Sequence, residues 1–458
     1  MKAKVFCSSI LALALGACNS DSDSGNDNPP APPTDGGGFS LVRTQCAAVD
    51  AFDFSKVEDR SSCPEGTTKG TSEGSCILKG KITKDLTLTK NFTYILSGGV
   101  FVGGDNTDSA TLNIEAGTKF IGQSGADFLV VSRGSKIEAR GTKDEPIVFT
   151  SSKAVGERGR GDWGGLVING NAPIGCEDKL GTCTAEGEGS TGTYGGDTFE
   201  DYSGTLRYVR VEYAGNEITP ENELNGIAFQ GVGYCTKAEY IQVHMNADDG
   251  VEFFGGAADV KYVVLTGNGD DSLDWVNGWV GNAQYVLIEQ YGDKANNGIE
   301  ADNSSKSMNR SPRSNPNLAN FTMLGTSEAA AKGGDGFHLR RGTGAKIYNS
   351  VVTGFKSACI NLEDQATFDA GEVEFHNVVV GNCKSNFPSD ETDTEGLFLA
   401  EAGNVEAEIE PKKIYSDLAK VNAVQGMSTG GLDATTFVGA IENADNDWTA
   451  GWTTSAKN

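Results

Sequence analysis

Glu252, Asp274 and Glu300 recur at steps of 22 and 26 residues in matching settings. These settings are Gly250-Val251-Glu252-Phe253, Ser272-Leu273-Asp274-Trp275 and Gly298-Ile299-Glu300-Ala301. If the segments are stacked strands, the three carboxylates form an outward column with about 4.8 Å between rungs. Carboxylates so close repel, so either one of them takes up a proton or a cation such as Ca²⁺ sits among them. The three are therefore candidate calcium ligands. A spacing of about 5 Å also suits a retaining glycosidase, in which one carboxyl is the acid and the other the nucleophile. Asp248, Asp270 and Asp271, with Asp249, Asp302 and Asp335, fall in turns beside the column. The first three are candidate catalytic carboxylates. Asp and Asn before Gly also suit tight turns for backbone reasons alone, which leaves a purely structural role open for each.

Aromatic residues flank the same strip: Phe254, Trp275, Trp279 and Tyr291. Trp275 and Trp279 are the candidate ligand-binding pair, since exposed ring faces stack on sugars, although core packing is the commoner fate of a single aromatic. His338-Leu339-Arg340-Arg341 brings the basic residues nearest the column. His338 beside Glu300 is a candidate acid or base, and Arg340 a candidate holder of an anionic group. The chain carries no Gly-x-Ser-x-Gly elbow, no glycine-rich phosphate loop with lysine and no His-rich metal motif.

Such a column needs a repeating scaffold. One series of short segments, centred on Tyr240, Tyr262, Tyr285, Phe321, Ile347 and Phe375, steps by 22, 23, 36, 26 and 28 residues. A second series, about ten residues out of phase, carries the column Ala228, Glu252, Asp274, Glu300, His338 and Asn361. Alternating apolar residues at two or three strands per repeat predict an all-β right-handed parallel β-helix, whose coils bury their apolar faces only by stacking. The long step between Gly298 and Gly336 marks a coil with Ser304 to Pro316 looped out. Less regular coils precede it at Leu112-Asn113-Ile114, Phe128–Val131, Ile147-Val148-Phe149 and Leu166-Val167-Ile168. The expected organisation is an N-terminal cap over 40–105 and a β-helix over 106–455, with a loop insert at 175–203.

At the amino end, Lys2 and Lys4 precede an apolar run from Val5 to Leu15, the pattern of a secretory signal over 1–17. Residues 19–38, rich in Asp, Pro and Gly, have little to bury and read as a tether. The net charge of −26 argues against nucleic acid as a partner and for divalent cations or neutral and cationic ligands. Beyond Cys7 and Cys18, the remaining cysteines are even in number, as expected of disulfides in an exported chain. Cys359 and Cys383 lie 24 residues apart, about one coil, and are expected to pair across adjacent rungs. Cys176 and Cys183 are expected to pin the insert.

Leu15-Gly16-Ala17-Cys18 resembles the lipobox of bacterial lipoproteins, which implies acylation at Cys18 and a membrane anchor. Asn19 in place of Asp favours the outer membrane. GDWGGLVINGNAP (161–173), NELNGIAFQGVG (222–233), NADDGVEFFGG (246–256) and NDWTAGWT (446–453) together resemble a widespread group of bacterial outer-membrane lipoproteins. That resemblance covers roughly residues 110 to 455 and implies a β-helix exposed at the cell surface, with no established activity. Asn246-Ala247-Asp248 followed by Gly269-Asp270-Asp271 resembles the paired acidic motifs of pectin-cleaving polygalacturonases. The Gly-His-Gly and Arg-x-Lys segments of those enzymes have no counterpart here. Two functions follow as expectations. One is a surface binding or scaffold module for a glycan, a cation-bridged ligand or an outer-membrane protein partner. The other is a polysaccharide hydrolase or lyase.

Overall fold

The computed structural model describes residues 41–176, 183–219, 222–328, 334–388, 392–409 and 431–457. The signal segment, Cys18 and the tether lie outside the described residues. Among the described residues twenty-six strands join in one sheet wound as a right-handed parallel β-helix, the predicted fold. Each full coil feeds three parallel ladders. The first runs through Phe128–Val131, Leu166–Asn169, Ile227–Gln230, Val251–Phe254, Leu273–Val276, Ile299–Asp302, Phe337–Arg340 and Ile360–Leu362. The second and third share the long strands Gly204–Glu212, Lys237–His244, Asp259–Thr266, Asn282–Glu289 and Asn317–Leu324.

The two halves of each long strand pair separately, and the break falls at Tyr208, Tyr240, Tyr262, Tyr285 and Asn320. All five take the left-handed backbone conformation, with φ between 49° and 59°, which turns the strand through a corner. Asparagine tolerates that conformation, whereas a tyrosine is strained by it. Stacking offsets the strain: successive Tyr208, Tyr240, Tyr262 and Tyr285 rings lie 4.4, 4.4 and 4.7 Å apart.

Inward positions of all three ladders form one continuous core, with Phe120 on Phe149 at 4.3 Å and Phe253 on Trp279 at 3.9 Å. Both ends of the solenoid differ from expectation. The parallel ladders already begin at Ser75–Ile82 stacked on Thr93–Val102, inside the stretch assigned to the cap. Its alternating pattern, bent at Gly80, is a coil like the others. At the other end the last ladder strand among the described residues is Val405–Glu406. Residues 431–456 add no coil. They run along the outside as a strap that lays Trp448 and Trp452 edge-on against the tyrosine corner. A coil there would leave both indoles with nothing to cover.

Four disulfides brace the body: Cys46–Cys235, Cys63–Cys76, Cys176–Cys183 and Cys359–Cys383. The last is the predicted pair, and Cys176–Cys183 closes a short loop within the insert that these two cysteines were expected to pin. No helix of the described residues is long and apolar enough to cross a membrane.

Candidate functional site

The first ladder holds the predicted column in register: Ala228 pairs with Glu252, Glu252 with Asp274, Asp274 with Glu300, Glu300 with His338, and His338 with Asn361. Followed toward the amino end, the same column turns apolar, through Val167, Val130 and Phe101. That apolar half is roofed by the insert. Ile174, Tyr194 and Leu224 pack on Val130, Val167, Ala228 and Phe254. The acidic half starts where the roof ends.

A second line of polar groups runs along the turns that open each first-ladder strand. The Asp271 N–H donates to Asp249 Oδ1 at 2.9 Å, Asn297 N–H to Asp271 Oδ1 at 2.5 Å, Asp335 N–H to Asn297 Oδ1 at 2.8 Å and Ala358 N–H to Asp335 Oδ1 at 2.8 Å. One oxygen of each side chain thus ties its coil to the next. This gives Asp271, a predicted catalytic residue, a structural duty: it is buried and already bonded.

Carboxylate oxygens of Asp249, Glu252 and Asp274 all lie within 4.8 Å of one another, and so do those of Asp271, Asp274 and Glu300. Asp274 belongs to both groups. Its side chain is partly exposed, yet Oδ1 is sealed from solvent and has no hydrogen-bond partner among the described residues. Glu252 is buried, and Asn225 Nδ2 donates to its Oε2 at 2.6 Å. Burial first, and then the neighbouring carboxylates, push Asp249, Glu252, Asp271 and Asp274 well above the ordinary carboxyl range. Asp248 is raised to about 8 by burial and then by Glu223, Asp270 and Glu188. Glu188 is raised to about 7 by burial and Glu223.

The lower end of the column is compensated. Burial pushes Glu300 up, but His338 and the Arg340 guanidinium outweigh it and leave the carboxyl below its usual value. Arg340 bonds Glu300 and, at 2.8 Å, Asp302, while Arg341 reaches Asp302 at 2.6 Å. His338 sits between Glu363, which it contacts through Nε2, and Glu300, 3.6 Å from Nδ1. Burial opposes the charge on its ring, but the two glutamates and Asp335 prevail and raise its pKa.

Three predicted ligand-binding residues need correction. Trp275 and Trp279 have 0% exposure, and their indole N–H groups donate to Thr343 Oγ1 and the Ala258 carbonyl. Both are core residues, because Trp275 shares the inward parity of Leu273 and the Trp279 ring stacks on inward-facing Phe253. Phe254 and Tyr291 are buried as well, so no aromatic platform from this set faces solvent. Arg340 is committed to Glu300 and Asp302, one rung away, and is not a free anion holder.

Glu188, Glu223, Asn225 and Glu363 escaped the sequence reading as site residues. Glu188 belongs to the insert, and Glu223 to the loop between Gly204–Glu212 and Ile227–Gln230; neither segment repeats. Glu363 lies just past the last first-ladder strand, and Asn225 was hidden as an ordinary Asn-Gly turn. The arrangement suits two kinds of chemistry: an all-oxygen cradle for a hard cation, or a set of carboxyl groups holding protons near neutral pH.

The sequence model of a family described as a pectate-lyase like beta helix domain matches residues 80–453. No curated protein and no solved structure matches the chain.

Proposed function

This chain belongs to the pectate-lyase like beta helix family, and from that premise we propose that its first ladder is a divalent-cation-dependent binding surface for a polysaccharide. The observation that carries the reading is Asp274. It joins two carboxylate groups whose oxygens lie within 4.8 Å, and its buried Oδ1 has no donor. Leaving such an oxygen unpaired is costly in a low-dielectric setting, and a hard cation removes the cost by coordination. Asp249, Glu252 and Asp274 would hold it. Asp271 and Glu300 border it, and Arg340 and His338 already balance the charge below. Bound there, the ion would supply a charged contact for hydroxyl or carboxylate oxygens of a glycan chain lying along the ladder. In the same proposal the body is a lipoprotein, anchored at Cys18 to the outer membrane and displayed at the cell surface.

The test is titration calorimetry with CaCl₂ on the chain from residue 39 on, which is a compact unit by itself. Binding on the order of micromolar is expected, with loss in Glu252→Gln/Asp274→Asn. A wild-type protein that binds no calcium and melts alike with and without chelator would overturn the proposal.

One observation favours a second reading, a polysaccharide-degrading enzyme. Asp248 is raised to about 8 and so holds a proton at neutral pH, as a general acid must. Of the other catalytic candidates, Asp270 is the one whose charge acts on it. Cleavage of any member of a polysaccharide panel that disappears in Asp248→Asn would establish it over the binding-only view.

A further inference from the structure

Between the strands Leu166–Asn169 and Gly204–Glu212 the chain leaves the repeat, and there it lays part of the roof over the apolar half of the column. Within the roof, Glu188–Ser190 forms a single tight turn, with Gly189 and Ser190 both in the left-handed conformation. The turn is pressed against the ladder. A β-carbon at Gly187 would collide with Gln230 Oε1, and one at Gly189 would lie 2.9 Å from Leu224 Cδ2. Leu224 precedes, and Gln230 ends, the strand that carries Ala228, the rung next to Glu252. The backbone of Glu188 is therefore held over the strand of Ala228, one rung from Glu252, and after burial its charge is the first that acts on Glu252.

Two buried amide oxygens point to a ligand there. Asn225 is 1% exposed. Its Nδ2 is spent on Glu252, and its Oδ1 has no partner among the described residues. Gln230, also 1% exposed and packed beneath Gly187, leaves Oε1 in the same condition. Protonating a carboxyl would satisfy at most one such oxygen. A hard cation takes six to eight oxygens and mixes carboxylates with amide carbonyls.

We infer that Glu188 and the Asn225 carboxamide oxygen complete the cation site from above, so that binding an ion to the ladder and fastening the roof onto it are one event. The inference rests on the cation site proposed for Asp249, Glu252 and Asp274. It adds that the insert, not the solenoid alone, sets affinity, and that the ion cancels the repulsion between Glu188 on the roof and Asp248 and Glu252 beneath it.

The experiment combines calorimetry with hydrogen exchange read on the segment 184–194, with CaCl₂ or with chelator, for wild type and Glu188→Gln. In wild type, calcium is expected to slow exchange in 184–194 about tenfold. Glu188→Gln is expected to bind calcium about tenfold more weakly and to lose the added protection. In chelator it should melt no lower than wild type, which shows that it folds. Calcium binding of equal strength in both proteins, or binding without a change in exchange at 184–194, would overturn the role of Glu188 and leave the ladder site standing. No binding to wild type would overturn both.

Discussion

Burial raises the Asp248 carboxyl to about 8 and the Glu188 carboxyl to about 7, with Glu223 the first neighbouring charge that acts on each. The ordinary values are 3.8 and 4.5. Between about pH 4 and pH 8 the folded protein therefore keeps protons that the unfolded chain has released, and stability falls as pH rises wherever the folded state binds more protons. The contribution of these two groups is fully present below their ordinary values and is lost as pH climbs through about 7 to 8. In chelator, the melting temperature is expected to fall from about pH 5 to about pH 8. Glu188→Gln/Asp248→Asn should flatten that slope, and calcium should flatten it in wild type; a thermal scan at stepped pH reads all three. A profile in chelator that is level from pH 5 to 8 in wild type would refute the electrostatic account. His338 is a different case: it lies between two glutamates that favour its charged form, so it strengthens the lower column instead of straining it.

At the scale of elements, the corner between the second and third ladders and the strap depend on each other. Tyr208, Tyr240, Tyr262 and Tyr285 accept a strained backbone because their rings stack, and Trp448 and Trp452 cover the stack edge-on. The strap is also bonded into the flank. Gln284 Nε2 donates to the Asp433 carbonyl at 2.9 Å, Ala440 N–H to Thr322 Oγ1 at 2.8 Å and Gln242 Nε2 to the Thr454 carbonyl at 2.7 Å. Trp452→Ala removes a fully buried indole and is expected to cost about 3 to 5 kcal/mol. Because solenoid coils sense mainly their neighbours, the damage should stay local. Exchange should quicken around Tyr208 and Tyr240, with calcium binding on the first ladder unchanged. Loss of calcium binding in a folded Trp452→Ala protein would mean that the two faces are coupled.

Across the whole molecule, Cys46–Cys235 spans a sequence separation of 189, far longer than the other three bridges. Together with the ion pair of Arg43 and Asp259 at 2.5 Å, it fixes the N-terminal segment to the middle of the solenoid, at the coils that carry Ala228 and Glu252. Closing so long a loop restricts the unfolded chain most, worth about 5 kcal/mol on the chain-entropy argument. Cys46→Ser/Cys235→Ser is therefore expected to melt lower than Cys176→Ser/Cys183→Ser, whose loop is short. Calorimetric scans of the two double variants compare them directly, and the reverse order would show that native packing, not loop length, sets the value of these bridges.

The amino-acid sequence by itself determined whatever repeats. Steps of 22 to 28 residues with period-two alternation specify a stacked solenoid. The same alternation set the register of Ala228, Glu252, Asp274, Glu300, His338 and Asn361, because a slip of one residue would turn every apolar side chain outward. The spacing of Cys359 and Cys383 was legible for the same reason. The burial of Trp275 was legible too, since it shares parity with Leu273. What only the tertiary structure decided does not repeat. The insert folds back over the apolar half of the column and brings Glu188 beside Glu252. The strap folds back over the tyrosine corner. The two arginines close on Glu300 and Asp302. These contacts join residues tens to hundreds of positions apart, and they arise because exposed apolar and charged groups on the ladders must be covered or paired. No local period records which distant segment will do it.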